Sequence, residues 1–216
     1  IRTCIGVGVL VFIGVAVGEL SVTSWVRLDP VGTPVDWAEV GEMVRTVHSL
    51  DPSTLPDSVP LPLASSFPWW DFDALLERTT PLLDDSAYRS LASTIERHRG
   101  WATLTSDATS TLGAQVVCHG DVHPGNVVMT ANGVTLIDWD LLCRAPPGWD
   151  HGPMLTWADR WGGDGHEYPA FASGYGRSLA DDPAAVAVAE LRLVAATLMR
   201  LIAGVADPVA MAEAQR

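Results

Sequence analysis

Residues 119–126 read His-Gly-Asp-Val-His-Pro-Gly-Asn, and residues 137–140 read Ile-Asp-Trp-Asp. These residue types at this spacing suit the movement of a phosphoryl group. A hydroxyl nucleophile needs a carboxylate to take its proton, and Mg²⁺ must neutralise the phosphate oxygens. That ion takes hard oxygen ligands, typically one or two carboxylates or amides with phosphates and water. Asp121 and Asn126 stand five positions apart in a loop too short and too rich in Gly and Pro to be a helix. Asp138 follows at the far end of an expected hairpin. A hairpin folds back on itself, so Asp138 is expected beside Asn126. Asp121 then faces substrate, while Asn126 and Asp138 share a metal.

Part of the same run fits a second chemistry. His119, Asp121 and His123 alternate and would lie on one face of a strand, as the metal cluster of a hydrolase would. That reading leaves Pro124-Gly125-Asn126 and Asp138 without a role.

The elements that must position these residues are legible around them. Short strands are expected at 114–118, 127–129 and 134–137. The last two are joined by Thr130-Ala131-Asn132-Gly133, whose Asn-Gly is a strong hairpin signal. Upstream, 28–36 is a linker by its Pro, Gly and Asp content. A helix follows, with Asp36 as N-cap and Glu39 at the capping-box spacing. Val40, Met43, Val44 and Val47 form its apolar face, and Asp51-Pro52 ends it. Residues 51–70 carry five prolines and no period, so they read as irregular. A second helix is expected over 84–104, with Tyr88, Leu91, Ile95 and Trp101 along one side. The last long helix starts at the cap Asp182 with Pro183 in first position, and runs to about Val205. The apolar stretch 4–17 is short for a membrane helix and only loosely resembles a signal peptide. Its valines recur at every second position, so it reads as a pair of buried strands turning at Gly14. Its glycines lack the spacing of a phosphate loop.

Composition narrows the function. The chain has 216 residues, one domain or slightly more. Its 26 carboxylates outnumber its 13 basic residues, giving a net charge of −13. A nucleic-acid partner, which needs a basic face, is therefore not expected. No membrane partner is expected either. All 13 basic residues are arginine, so no mechanism can use a lysine of this chain. The cysteines, Cys4, Cys118 and Cys143, are odd in number and widely spaced. They suggest a reducing, cytoplasmic setting rather than a disulfide framework.

The sequence VVCHGDVHPGNVVM…VTLIDWD resembles the aminoglycoside phosphotransferase family of kinase-like small-molecule phosphotransferases, with its H-G-D-x-H-x-x-N loop and I-D-[WF]-[DE] metal motif. The Asp, four residues, Asn and downstream Asp also share the kinase spacing. Flanking segments extend the resemblance over about 20–205. VTSWVRLDP (22–30) looks like the hinge between lobes, Val47-His48-Ser49-Leu50 like an L-H-x-L helix, and Trp149-Asp150 like a G-x-x-x-x-D-L step. The resemblance implies an α+β fold: a mostly helical, protein-kinase-like C-terminal lobe over 31–216, preceded by residual small-lobe strands and hinge over 1–30. It implies ATP and Mg²⁺ as cofactors, and a small-molecule hydroxyl as acceptor: an aminoglycoside-like antibiotic, an amino alcohol or a sugar. Asp121 would be the catalytic base and His119 a brace of the catalytic loop. Asn126 and Asp138 would ligate Mg²⁺. His123, Asp140 and Asp150 would be supporting or substrate-side groups, and backbone around Ser24, Trp25 and Val26 would contact adenine. The family's small lobe also carries a lysine on the nucleotide phosphates and a Gly-rich strand turn. This chain has neither and begins at Ile, so upstream parts are expected to be missing. The alternative is an inactive or truncated kinase-like binding module.

Other residues have plainer readings. His48 is expected to be a hydrogen-bonded core histidine, and His98 a solvated one. Asp140 is either a cap or a group at the metal. Trp69-Trp70 or Trp157 with Trp161 offer sugar stacking, although core packing suits most tryptophans. Asp159, Asp164 and Glu167 are expected at the surface, where they would favour a cationic substrate. Cys118 and Cys143 are expected to be buried.

Overall fold

The computed structural model of the chain describes residues 8–17, 20–102, 115–207, 209 and 211, with side chains from Arg27 to Trp101 and again from Gln115. Cys4, residues 103–104 of the expected second helix and Ala114 lie outside the described residues. Strand β1 (Gly8–Val17) pairs antiparallel with β2 (Leu20–Arg27), with Gly8 opposite Arg27 and Val17 opposite Leu20. The alternating valines thus form one strand, not two that turn at Gly14. Val11 faces Ser24 but Val15 faces Val22, so β1 carries extra residues between them. Glycine in a strand interior often marks such a bulge, and Gly14 lies within it.

Beyond β2 the chain is tied to the later hairpin. Pro30 bridges Thr130, and Val31 N–H donates to Met129 O at 2.8 Å. Helix α1 (Trp37–His48) begins where expected, the Asp36 carboxylate accepting from the N–H groups of Ala38 and Glu39. The capping-box reading of Glu39 is corrected. Its carboxylate instead accepts from Val134 N–H on the hairpin, at 3.2 Å, which fastens the helix start to β5.

The proline-rich stretch forms 3-10 turns at Pro52–Thr54, Ala64–Ser66 and Pro68–Trp70. Helix α2 (Phe72–Thr79), capped by Asp71, then follows without having been anticipated. The expected second helix is two, α3 (Asp85–Arg97) and α4 (Arg99–Ala102). The break falls at His98, whose Nε2 lies 2.9 Å from Glu190 of the last helix. With its side chain 12% exposed, His98 is docked rather than solvated.

Strand β3 (Val116–Cys118) leads into the 119–126 loop, and β4 (Val127–Thr130) with β5 (Gly133–Leu136) forms the hairpin. The short β6 (Cys143–Ala145), unannounced by any alternation, pairs antiparallel with β3. This register sets Cys118 opposite Cys143 as two buried free thiols. Helices α5 (Gly148–Leu155), α6 (Trp157–Trp161), α7 (Glu167–Tyr175) and α8 (Pro183–Gly204) complete the described chain. Asp182 caps α8 through Ala184 and Ala185 N–H.

Two apolar clusters flank the loop. One packs Trp70, Trp149, Leu191 and Leu198 around α8; the other packs Val40, Val44, Val122, Leu136 and Phe171 between α1, α7 and the hairpin. Each fully buried aliphatic or aromatic side chain contributes about 1.5–3 kcal/mol. Helices α1 and α7 approach so closely that a Cβ at Gly41 or Gly174 would strike the facing backbone. Among the described residues, no helix is long and apolar enough to cross a membrane.

Candidate active site

The loop from His119 to Asn126 has one end in each cluster: Cys118 belongs to the first and Val127 to the second, with Val122 also buried in the second. Gly120 takes φ +96°, where a side chain would run into the carbonyl of Leu141. That left-handed turn lets the chain leave β3 sharply, and only glycine takes it at low cost.

Side chains far away in sequence hold the loop. Asp150, fully buried at the start of α5, accepts from His119 N–H at 2.9 Å and Gly120 N–H at 2.8 Å. Its Oδ2 also takes a 3.0 Å hydrogen bond from His48 Nε2, and His48 Nδ1 accepts from the Tyr175 hydroxyl at 2.9 Å. Burial pushes the Asp150 carboxyl up, but the His48 hydrogen bond and charge, with the Gly120 N–H, outweigh it and hold it below the usual carboxylate range. Asp150 therefore lies beneath the loop and not on its substrate side. His48 is the hydrogen-bonded core histidine expected. His119 is also fully buried. Its Nε2 donates to Ile137 O at 3.0 Å and its Nδ1 accepts from Asp121 N–H at 3.3 Å. Both ring nitrogens are thus committed to backbone. His119 spans loop and hairpin and has no nitrogen left for a metal, which removes the hydrolase cluster.

Arg192, in the middle of α8, was not anticipated. Its guanidinium donates to Gly120 O and to Asp121 Oδ1, each at 2.7 Å. It lies against the rings of Trp69 and Trp149, 5.6 and 5.2 Å from their centroids. Its side chain is 12% exposed. The available signal was an arginine set in a long apolar helix, LRL within AVAVAELRLVAATLM. A buried charge of this kind needs a partner.

Asp121 points outward from this frame. Burial raises its carboxyl pKa, while the hydrogen bond from His123 and the charge of Arg192 outweigh it and bring it below the ordinary value. His123 Nε2 lies 3.3 Å from Asp121 Oδ2, and its Nδ1 accepts from Gly125 N–H at 3.0 Å. Asn126 is buried, and its Nδ2 donates to Asp121 O at 3.0 Å and sits 3.4 Å from Asp121 Oδ2. The amide oxygen remains the atom it can offer a cation.

The hairpin does return Asp138. Ile137 N–H donates to Asn126 O at 3.0 Å, which sets Asp138 next to the Asn126 backbone. Asp138 has φ +63°, the one positive φ among described non-glycine residues, directly after β5. Such values are uncommon outside glycine and cluster at functional sites. The Asn126 amide oxygen and the Asp138 carboxylate make a hard oxygen donor set, which suits Mg²⁺ and would not favour a soft metal.

The other expected site residues fall elsewhere. Asp140 is exposed inside the 3-10 turn Trp139–Leu141, so it is not the cap of that turn. Ser24, Trp25 and Val26 lie in β2 opposite Val11, Leu10 and Val9, and no described hydrogen bond joins them to the loop. Trp70 is buried against Trp149 and serves the core. In front of Asp121 opens a cavity of about 310 Å³, lined by Asp121, His123, Trp157, Trp161, Arg192 and Arg200 among others. The arrangement presents a held carboxylate to a cavity, beside a candidate cation site.

The fold is similar to that of several solved structures. The AMP-bound complex of spectinomycin phosphotransferase matches with TM-score 0.62 at 16% identity, covering 90% of this chain and 68% of that one. An aminoglycoside phosphotransferase from Alicyclobacillus acidocaldarius matches with TM-score 0.56 at 17% identity, covering 96% and 71%. Choline kinase from Streptococcus pneumoniae matches with TM-score 0.54 at 16% identity, covering 84% and 61%. The chain thus spans about three fifths to seven tenths of their lengths. A search of curated proteins by sequence finds no match. The fold is kinase-like α+β with a helical C-terminal lobe. The model of the phosphotransferase enzyme family matches residues 6–189, and the chain belongs to that family.

Proposed function

We propose that this chain carries the catalytic loop and metal site of an ATP-dependent phosphotransferase that phosphorylates a hydroxyl of a small molecule. Residues 1–30 are then small-lobe strands and hinge, with the backbone of Ser24 to Val26 toward adenine, and 31–216 are the large lobe. The observation that carries this is the position of Asp121: braced from below by Asp150 and His119, gripped by Arg192, and open to a cavity beside Asn126 and Asp138. The AMP complex of the spectinomycin enzyme supports a nucleotide donor.

Asp121 accepts the hydroxyl proton. The acceptor oxygen forms the new bond to the γ-phosphorus, the bond to the β,γ-bridging oxygen breaks, and ADP leaves. Asn126 Oδ1 and the Asp138 carboxylate would hold Mg²⁺, which when bound neutralises phosphate charge. Arg192 orients Asp121 and keeps it ionised, so it can take a proton at neutral pH. A buried, reduced Cys118–Cys143 pair is in keeping with a cytoplasmic setting.

The test is Asp121→Asn, followed by ADP formation with an acceptor present. Loss of a general base costs about 10²–10⁴-fold in turnover, and undiminished turnover would remove Asp121 from the role. A second reading has one observation behind it: none of the 216 residues is a lysine. Mg-ATP binding without turnover by this chain would favour the binding-module alternative.

A further inference from the structure

The cavity before Asp121 is walled by two helices that carry none of the motif. Helix α6 supplies Trp157 and Trp161; α8 supplies Leu193, Ala196 and Arg200 along one face. The Trp157 ring stacks with His123 at 5.9 Å and 12°, and with Trp161 at 6.2 Å and 30°. The wall is therefore a row of rings running outward from the catalytic loop. At about 310 Å³ the space is at the small end for a ligand site.

Its charge is unusual for an amine acceptor. Among the described lining residues Asp121 is the one carboxylate, and Arg192 already holds its Oδ1 at 2.7 Å. The Trp161 ring is approached by the guanidinium carbons of Arg200 and Arg160, at 4.7 and 5.8 Å. A cationic ligand is held by a carboxylate or by an open aromatic face, and here the chain's own arginines engage Asp121 Oδ1 and the Trp161 ring. Asp159, Asp164 and Glu167 do not line the cavity. Glu167 is turned onto the N–H groups of Asp164 and Gly165, at 3.2 and 2.9 Å.

We propose that the acceptor is an uncharged, sugar-like hydroxylated ring that lies on the Trp157–Trp161 wall and turns a hydroxyl toward Asp121, and that it is not an amine. The role of that hydroxyl rests on the phosphoryl-transfer reading; the binding does not. The test is equilibrium binding to this chain by tryptophan fluorescence and calorimetry, with methyl and phenyl β-glucosides as probes against choline, ethanolamine and spectinomycin. The glucosides are expected to saturate, phenyl tighter than methyl, with the amines at least about tenfold weaker. Trp157→Ala is expected to weaken the phenyl glucoside about five- to tenfold, and Trp157→Phe to restore most of it. If Trp157→Ala does not fold, Ala196→Trp fills the cavity from α8 and is expected to abolish glucoside binding. Amines binding more tightly than glucosides, no glucoside binding, or indifference to these substitutions would each overturn the inference. Undiminished turnover in Asp121→Asn counts against the transfer reading alone and leaves these affinities untouched.

Discussion

Replacing Arg192 with methionine asks what keeps Asp121 in its working state. Methionine retains a long apolar stem between Trp69 and Trp149 and removes the two 2.7 Å contacts with Gly120 O and Asp121 Oδ1. Gly120 O is not orphaned, because Trp149 Nε1 still donates to it at 3.2 Å. The substitution also relieves the desolvation of a buried cation, so the fold is expected to lose only about 1–3 kcal/mol. The carboxylate should respond more clearly. An opposite charge this near lowers a carboxyl pKa by about 1–3 units. Burial, which pushes Asp121 up, remains after Arg192 is gone, while one of its two main opponents is lost. Its titration midpoint is therefore expected to rise. The assay is ¹³C NMR of aspartate-labelled chain, with Asp121→Asn identifying the resonance. In a form that turns over, the acid limb of the rate profile should move up with it. Turnover at pH 7 should fall about 10²-fold, as a displacement of about 1 Å does, with the nucleotide KM unchanged. An Asp121 midpoint that stays in place would refute the reasoning and leave Arg192 a packing strut.

Two further outcomes concern the frame. Asp150→Ala strands the N–H groups of His119 and Gly120 and the His48 ring, so it is expected to cost about 3–5 kcal/mol in urea unfolding, and a loss under about 1 kcal/mol would contradict the anchoring role. His151 is buried against Tyr168, Phe171 and Tyr175, and burial lowers its pKa from 6.5 to about 3. Its folded pKa lies below the unfolded one, so the unfolded chain binds the extra proton. Stability should then be full above about pH 6.5 and fall by about 1.4 kcal/mol per unit as pH drops toward 3. His151→Phe is expected to flatten that slope in unfolding curves between pH 5 and 7.5, and an identical slope would exclude His151 as its source.

How much of this was legible depended on whether the determinant was local. The Asp36 and Asp182 caps, the Asn-Gly turn and the return of Asp138 each follow from a few neighbouring residues, and the structure has them. Glu39 fits a capping box by spacing, but a backbone N–H 95 positions away on Val134 takes its carboxylate. His98 looks solvated beside two arginines until α8 brings Glu190 to it. Helix α2 was hidden because eight residues bounded by prolines carry too short a period to read. Strand β6 has three residues and exists because β3 is there to pair with it. At the site, the motif named Asp121, Asn126 and Asp138. The residue that grips Asp121 lay 71 positions downstream, with nothing but its apolar surroundings to mark it.

The loop's support has an electrostatic consequence. His48 links Tyr175 and Asp150 through its two ring nitrogens, at 2.9 and 3.0 Å. His119 is likewise fixed with one nitrogen donating and one accepting, and burial lowers its pKa. Asp150 is a buried anion held by the His48 ring and by the N–H groups of His119 and Gly120. Burial lowers the pKa of Arg192, and among the charges that oppose this Asp121 comes first and Asp150 second. One guanidinium thus faces two carboxylates, one under the loop and one on top of it. Because low dielectric strengthens each of these interactions, the loop's shape and the ionisation of Asp121 are two readouts of the same arginine. The geometry of the catalytic loop is accordingly set from α1, α5 and α8 in the helical lobe.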